Sequence, residues 1–99
     1  MRVDFHPEAE TEFTEHAFYY EYEVTGLGYR FIDEIERAIT ILIDQPQIGQ
    51  AINEQLRSFV LAEFPFSLIY SLNQEMIWIV EVAHQKRLPD YWRERINAE

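Results

Sequence analysis

Polar and apolar positions along the 99-residue chain follow two regimes. Up to Asp44 the apolar side chains recur every three or four positions, the spacing of amphipathic helices. From Leu56 onward they crowd into short runs rich in β-branched and aromatic residues, the signature of consecutive antiparallel strands.

Arg2 to Phe5 comes first and alternates charge with Val3 and Phe5, which predicts a short strand. His6-Pro7 then opens a helix, because the N–H that proline lacks has no partner in a first turn anyway. Ala9, Phe13, Ala17, Tyr20 and Val24 form one apolar stripe, and Glu8, Glu12 and Glu15 are assigned to a solvated opposite face. Glu8, Glu10 and Glu12 also suit the positive end of the helix dipole. Thr25-Gly26-Leu27-Gly28 breaks the pattern, since glycine takes the left-handed conformation that ends helices. A second helix is predicted from near Leu27 to about Asp44. Phe31, Ile35, Ala38 and Leu42 lie in one row, with Ile32, Ile39 and Ile43 beside it. The tight turn makes the two helices an antiparallel hairpin.

Gln45-Pro46-Gln47 stops the second helix. Residues 46–54 read as a connection without periodicity. Three strands follow. Phe64-Pro65-Phe66 bends the chain between the first two, and Asn73-Gln74-Glu75 turns it into the third. Phe66, Leu68 and Tyr70 alternate against Ser67, Ile69 and Ser71. Met76 to Val80 is apolar on both faces, as expected of a central strand covered by helices on one side. Pro89-Asp90 starts a short helix that ends in Arg93-Glu94-Arg95. The expected fold is α+β: a short N-terminal strand, a helical hairpin packed on a small, largely antiparallel sheet, and a short C-terminal helix, all in one domain spanning residues 1–99.

Charge changes the functional picture. Eighteen acids against eight bases give a net charge of −10. The excess is uneven: residues 1–55 hold twelve acids and three bases, whereas 56–99 hold six acids and five bases. An acidic body repels phosphate, so direct DNA binding by this chain alone is not expected, and any RNA contact must be local. A basic protein partner is favoured on the same grounds. There is no cysteine, hence no disulfide framework or thiolate site. No apolar run is long enough for a membrane span, and the first residues do not read as a signal peptide, so a cytoplasmic protein is expected. No cofactor or metal is implied.

The candidate chemistry gathers at the end of the last strand. His84 has the pKa range for proton transfer, against a plain reading in which it caps the strand. Arg87 can bind phosphate or carboxylate through its fork, or pair with Asp90. Tyr91 keeps a hydroxyl for a site, while Trp92 suits an anchor over the sheet. Lys86 reads as a surface charge, and Arg57 as either an edge charge or a target contact. Glu12 and His16 have metal-ligand spacing but no third ligand, so they read as a solvated pair one turn apart. Phe18-Tyr19-Tyr20 is mostly core, with Tyr19 off the stripe. Gly26 and Gly28 are conformational rather than phosphate-binding, since no strand precedes them.

Taken in order, Phe5-His6-Pro7-Glu8-Ala9, Tyr19-Tyr20-Glu21, Gly26-Leu27-Gly28-Tyr29-Arg30-Phe31, Phe64-Pro65-Phe66-Ser67-Leu68-Ile69-Tyr70 and Val82-Ala83-His84-Gln85-Lys86-Arg87 with Tyr91-Trp92 resemble the RelE/ParE toxin superfamily of bacterial type II toxin–antitoxin modules. The His-x-x-Arg-x-Pro-x-Tyr-Trp ending is the most specific piece. The resemblance implies a cognate antitoxin and one of two targets. RelE-type members cut messenger RNA on the ribosome by attack of a ribose 2′-hydroxyl on the adjacent phosphate, chemistry that needs cations around the phosphorane. ParE-type members inhibit DNA gyrase. Where RelE-type nucleases carry strand lysines this chain has Ser58 and Val60, and where they carry an arginine it has Ser67. A ParE-like toxin is therefore expected, with catalytic candidates His84, Arg87 and Tyr91 and target-binding candidates Arg57, Lys86 and Trp92. A ribosome-dependent endoribonuclease and a non-toxic relic that only binds a partner are the alternatives.

Overall fold

The computed structural model describes residues 1–85. Its elements are β1 (Arg2–Phe5), α1 (Pro7–Glu23), α2 (Leu27–Asp44), β2 (Gln50–Ala51), β3 (Leu56–Val60), β4 (Phe66–Asn73) and β5 (Met76–His84). The sheet order is β1-β5-β4-β3-β2, which puts the apolar last strand inside the sheet, as its composition requires. β1 runs parallel to β5, and every other pairing is antiparallel. The expected α+β architecture is the one observed. The C-terminal helix expected from Pro89 lies outside the described residues. Residues 46–54 are not wholly irregular, because Gln50 and Ala51 pair with Ser58 and Arg57 as a two-residue edge strand.

The helical hairpin packs on one sheet face. Phe31, Ile35, Ala38 and Leu42 of α2 are buried against Phe66, Leu68, Tyr70, Ile77, Ile79 and Val82. The ring of Phe31 is the hub, with the rings of Phe64, Phe66 and Tyr20 centred 5.2, 5.3 and 5.4 Å away. The opposite face holds a second, smaller cluster of Leu56, Ile69, Val80 and Ala83, with Trp78 against it.

Strict alternation cannot produce both clusters. Ile79 and Val82 are three residues apart, so a regular strand would turn them to opposite faces. A bulge resolves this: Tyr70 pairs with Ile79 but Ile69 pairs with Glu81, leaving Val80 as the extra residue. Ile77, Ile79 and Val82 thereby all face the helices, while Val80 and Ala83 face away.

Capping fixes the helices. His6 is buried, and its Nδ1 accepts the Glu8 N–H at 3.1 Å ahead of Pro7. α2 has no cap of its own, because Gly26 at its N-cap has φ +90° and no side chain. Glu21 of α1 supplies one instead, its carboxylate accepting the Gly26 N–H at 2.8 Å and the Gly28 N–H at 3.0 Å. Gly28 serves close packing rather than conformation, since a Cβ there would lie 2.5 Å from the Ala17 carbonyl oxygen. The two helices cross at backbone contact.

Three expectations for α1 need correction. Val24 leaves the stripe: the helix ends at Glu23, and Val24 is an extended, exposed C-cap residue. Of Phe18-Tyr19-Tyr20 only Tyr20 packs into the core, whereas Phe18 and Tyr19 are 72% and 59% exposed. Glu12 is not solvated. It is half-buried, and its Oε1 accepts the Val82 N–H at 3.1 Å. The reason lies in β1, which pairs with β5 only as far as Phe5↔Ile79 before the chain turns into α1. Beyond Ile79 the carboxylate takes the place of a neighbouring strand.

Candidate functional site

β5 ends at His84, directly across from Phe66 at the start of β4. The imidazole meets the Phe66 ring edge-on with centroids 5.1 Å apart, and Gln85 N–H donates to the Pro65 carbonyl at 2.9 Å. His16 of α1 contacts the same phenyl ring at 4.5 Å. Two histidines from different elements thus flank Phe66, both half-buried, with Glu12 one helical turn from His16. His16 therefore does not belong to a solvated pair, and the sequence held the signal. Positions 9, 12, 13, 16, 17 and 20 run at the three–four spacing of a single buried stripe, so Glu12 and His16 sit within it rather than opposite it.

The Pro65 turn is itself tied to α2. Glu34 is buried, with Oε2 accepting the Ala62 N–H at 2.8 Å and Oε1 3.2 Å from Arg37. Arg30 and Arg37 both reach Glu63, at 3.1 and 3.4 Å. Being exposed, these ion pairs add little energy, but with the buried Glu34 bond they hold the turn that carries Phe66.

Arg57 stands elsewhere. Its Nη1 donates to the carbonyls of Gln47 at 3.0 Å and Gly49 at 2.7 Å, on the loop that enters β2. The Tyr70 hydroxyl holds the same loop by donating to the Pro46 carbonyl at 2.7 Å and accepting the Gly49 N–H at 3.0 Å. Burial raises the Tyr70 pKa above its ordinary 10.0, opposed by the Gly49 N–H and by Arg57. Arg57 pairs with Tyr70, four residues along β4 from the Phe66–His84 pair and two strands across from β5. That offset separates Arg57 from His84 by roughly 16 Å. The structure does not bring these two candidates together. Lys86, Arg87, Tyr91 and Trp92 lie outside the described residues.

Ser58, Val60 and Ser67 fall on the face turned away from the helices. Ser58 pairs with Ile69, which pairs with Glu81; Val60 pairs with Ser67, which pairs with Ala83. Among the described residues these two rows hold no cation, and their single charged side chain is the buried acid Glu81. All four arginines among the described residues are engaged by the protein itself: Arg2 with Asp4, Arg30 and Arg37 with Glu63, and Arg57 with loop carbonyls. Among the described residues no group of three His, Asp or Glu side chains can hold a metal ion.

A strand, a helical hairpin and an antiparallel meander in this order define the RelE-like α+β fold, and solved structures share it. A chain of the chromosomal ParDE toxin–antitoxin system from P. aeruginosa is similar at 13% identity with a TM-score of 0.60, covering 85% of this chain and 95% of that one. The isolated E. coli RelE toxin is similar at 14% identity with a TM-score of 0.62, covering 99% and 98%. No curated protein sequence matches. A family model described as the ParE toxin of type II toxin–antitoxin system, parDE, matches residues 3–89. The chain belongs to the ParE toxin family.

Proposed function

We propose that this toxin arrests growth by binding DNA gyrase without cutting RNA, and that a cognate antitoxin neutralises it. The observation that supports this reading is the sheet face carrying Ser58, Val60 and Ser67 in register with Glu81 and Ala83. A phosphorane carries extra negative charge, and catalysis of its formation requires cations aimed at it. Serine, valine and a carboxylate supply none. Gyrase inhibition is a binding event and needs no such clamp. The antitoxin reading rests on the family and on the acidic, aromatic surface, which suits a partner that folds as it binds.

Induction of the chain alone in bacteria is expected to stop growth, and the purified protein to inhibit supercoiling by gyrase. Ribosome toeprinting is expected to show no cleavage within codons, and His84→Ala to keep the arrest. Cleavage of ribosome-bound messenger that disappears with His84→Ala would make the chain an endoribonuclease. Absence of arrest would make it a non-toxic binding scaffold.

A further inference from the structure

We propose that a pocket beside Trp78, on the sheet face turned away from the helices, seats an arginine side chain presented by the protein target. This deepens the proposed function and rests on it for the target being a protein. The pocket encloses about 490 Å³, and its lining includes Glu54, Gln55, Ser71, Asn73, Met76 and Trp78. Three segments meet there. Leu56, Ser71 and Trp78 stand in one cross-strand row, and Asn73 pairs with Met76 at the turn between β4 and β5. Asn53 fixes the third segment: its Oδ1 accepts the Gln55 N–H at 2.7 Å and the Leu56 N–H at 2.9 Å. That turn holds Glu54 and Gln55 beside the row.

Chemistry selects the occupant. Trp78 and Met76 are half-buried and polarisable, whereas Glu54, Gln55 and Asn73 are exposed around them. Buried and half-buried acids elsewhere serve the fold, as Glu12, Glu21 and Glu34 do by accepting backbone N–H groups. Glu54 does not. Among the described residues it has no ion pair, and the side chains of Gln55, Ser71 and Asn73 make no hydrogen bond within the chain. Arg2 touches the Met76 sulfur from β1 but is neutralised by Asp4, and Arg57 is turned to loop carbonyls. An indole face attracts a cation, and a carboxylate only accepts. A guanidinium meets both at once, stacking flat on the indole while its edge donates to Glu54. An ammonium is a compact, strongly hydrated point charge and does neither as well. Nucleic acid would bring phosphate against Glu54 and a net charge of −10. Trp78 stands six residues from His84 along β5, roughly 20 Å, so the two can be perturbed separately.

The probe is N-acetyl-arginine amide, titrated into the isotope-labelled full chain, with the lysine and citrulline analogues as controls. Citrulline keeps the planar head and loses the charge. The arginine probe is expected to saturate at about millimolar concentration, the range open to so small a ligand. It should shift the Trp78 indole N–H and the amides of residues 54–56, 71–73 and 76–78. Lysine should bind several-fold more weakly, and citrulline should produce no shift. Glu54→Gln, at an exposed turn, should weaken arginine binding about threefold or more without moving Tm. Trp78→Leu should abolish it, and Trp78→Phe, which keeps a flat face, should restore part of it. In gyrase supercoiling, Glu54→Gln/Trp78→Leu should raise the half-inhibitory concentration about tenfold or more, with melting as the check on its fold. Citrulline binding as well as arginine, shifts confined to other residues, or inhibition unmoved in Glu54→Gln and in the double variant would overturn the proposal. If the native chain inhibits gyrase but fails these tests, the pocket is wrong and the target reading stands. If it binds arginine as stated but leaves gyrase active, the target reading falls and the guanidinium site stands.

Discussion

Tyr70→Phe removes a single oxygen that holds the loop before β2 to the sheet. That oxygen makes two hydrogen bonds, one to the Pro46 carbonyl at 2.7 Å and one from the Gly49 N–H at 3.0 Å. Gly49 is buried, so its N–H finds no water when the hydroxyl goes. Leaving a buried donor unpaired costs about 1–3 kcal/mol, and the replacement gains little since phenylalanine fills the same space. Taking about 2 kcal/mol, and about 4–8 °C per kcal/mol for a domain of this size, Tm should fall by roughly 10 °C. Thermal melting followed by circular dichroism measures it. A second variant tests the geometry: a Cβ at Gly49 would sit 2.6 Å from the Tyr70 hydroxyl oxygen and 2.8 Å from Cε1. Gly49→Ala should therefore cost less in the Tyr70→Phe background than in the native chain, a coupling of about 0.5 kcal/mol or more.

The same hydroxyl predicts a pH dependence. Burial favours the neutral phenol, raising its folded pKa above the ordinary 10.0. The unfolded chain ionises first, so the stabilisation is complete below about pH 10 and is lost as pH rises through the folded value. The Tm difference between native chain and Tyr70→Phe should narrow above pH 10. A Tm unchanged by Tyr70→Phe, or additive costs for the pair, would refute the hydroxyl's part in holding the loop.

Glu21→Ala should lower stability by about 1–2 kcal/mol in urea titration, because the N-terminus of α2 loses its only side-chain acceptor among the described residues, whereas Glu21→Gln, which keeps one carbonyl oxygen, should cost less. Gly28→Ala should be worse than either, by about 2 kcal/mol or more, since the clash is with the Ala17 backbone and cannot be relieved by a side-chain rotation. Glu12→Ala should speed hydrogen exchange at Val82 selectively, with the amides of Met76 to Ile79, which β1 covers, little changed.

How far the fold could be read beforehand follows from the range of each interaction. Helix faces and strand runs are set by neighbours three or four residues apart or by simple alternation. The hairpin, the break at Gly26, the bend at Pro65 and the central place of Met76–Val80 were therefore legible, as was the family resemblance carried by short motifs. The site was legible only in part. His84 stands at the end of β5 as expected, but His16, which contacts the same Phe66 ring, reads from sequence as solvated although the stripe's own spacing includes it.

What the chain alone determined is which residues are apolar, at what period, and with how much acid around them. Only tertiary structure decided the parallel docking of β1 and the extra residue at Val80. It also turned Arg57 toward loop carbonyls and made Glu12 a substitute for a strand. Each depends on which backbone groups are left unpaired once distant segments meet, and an unpaired N–H must find whatever acceptor the fold brings near it. No local pattern encodes that choice.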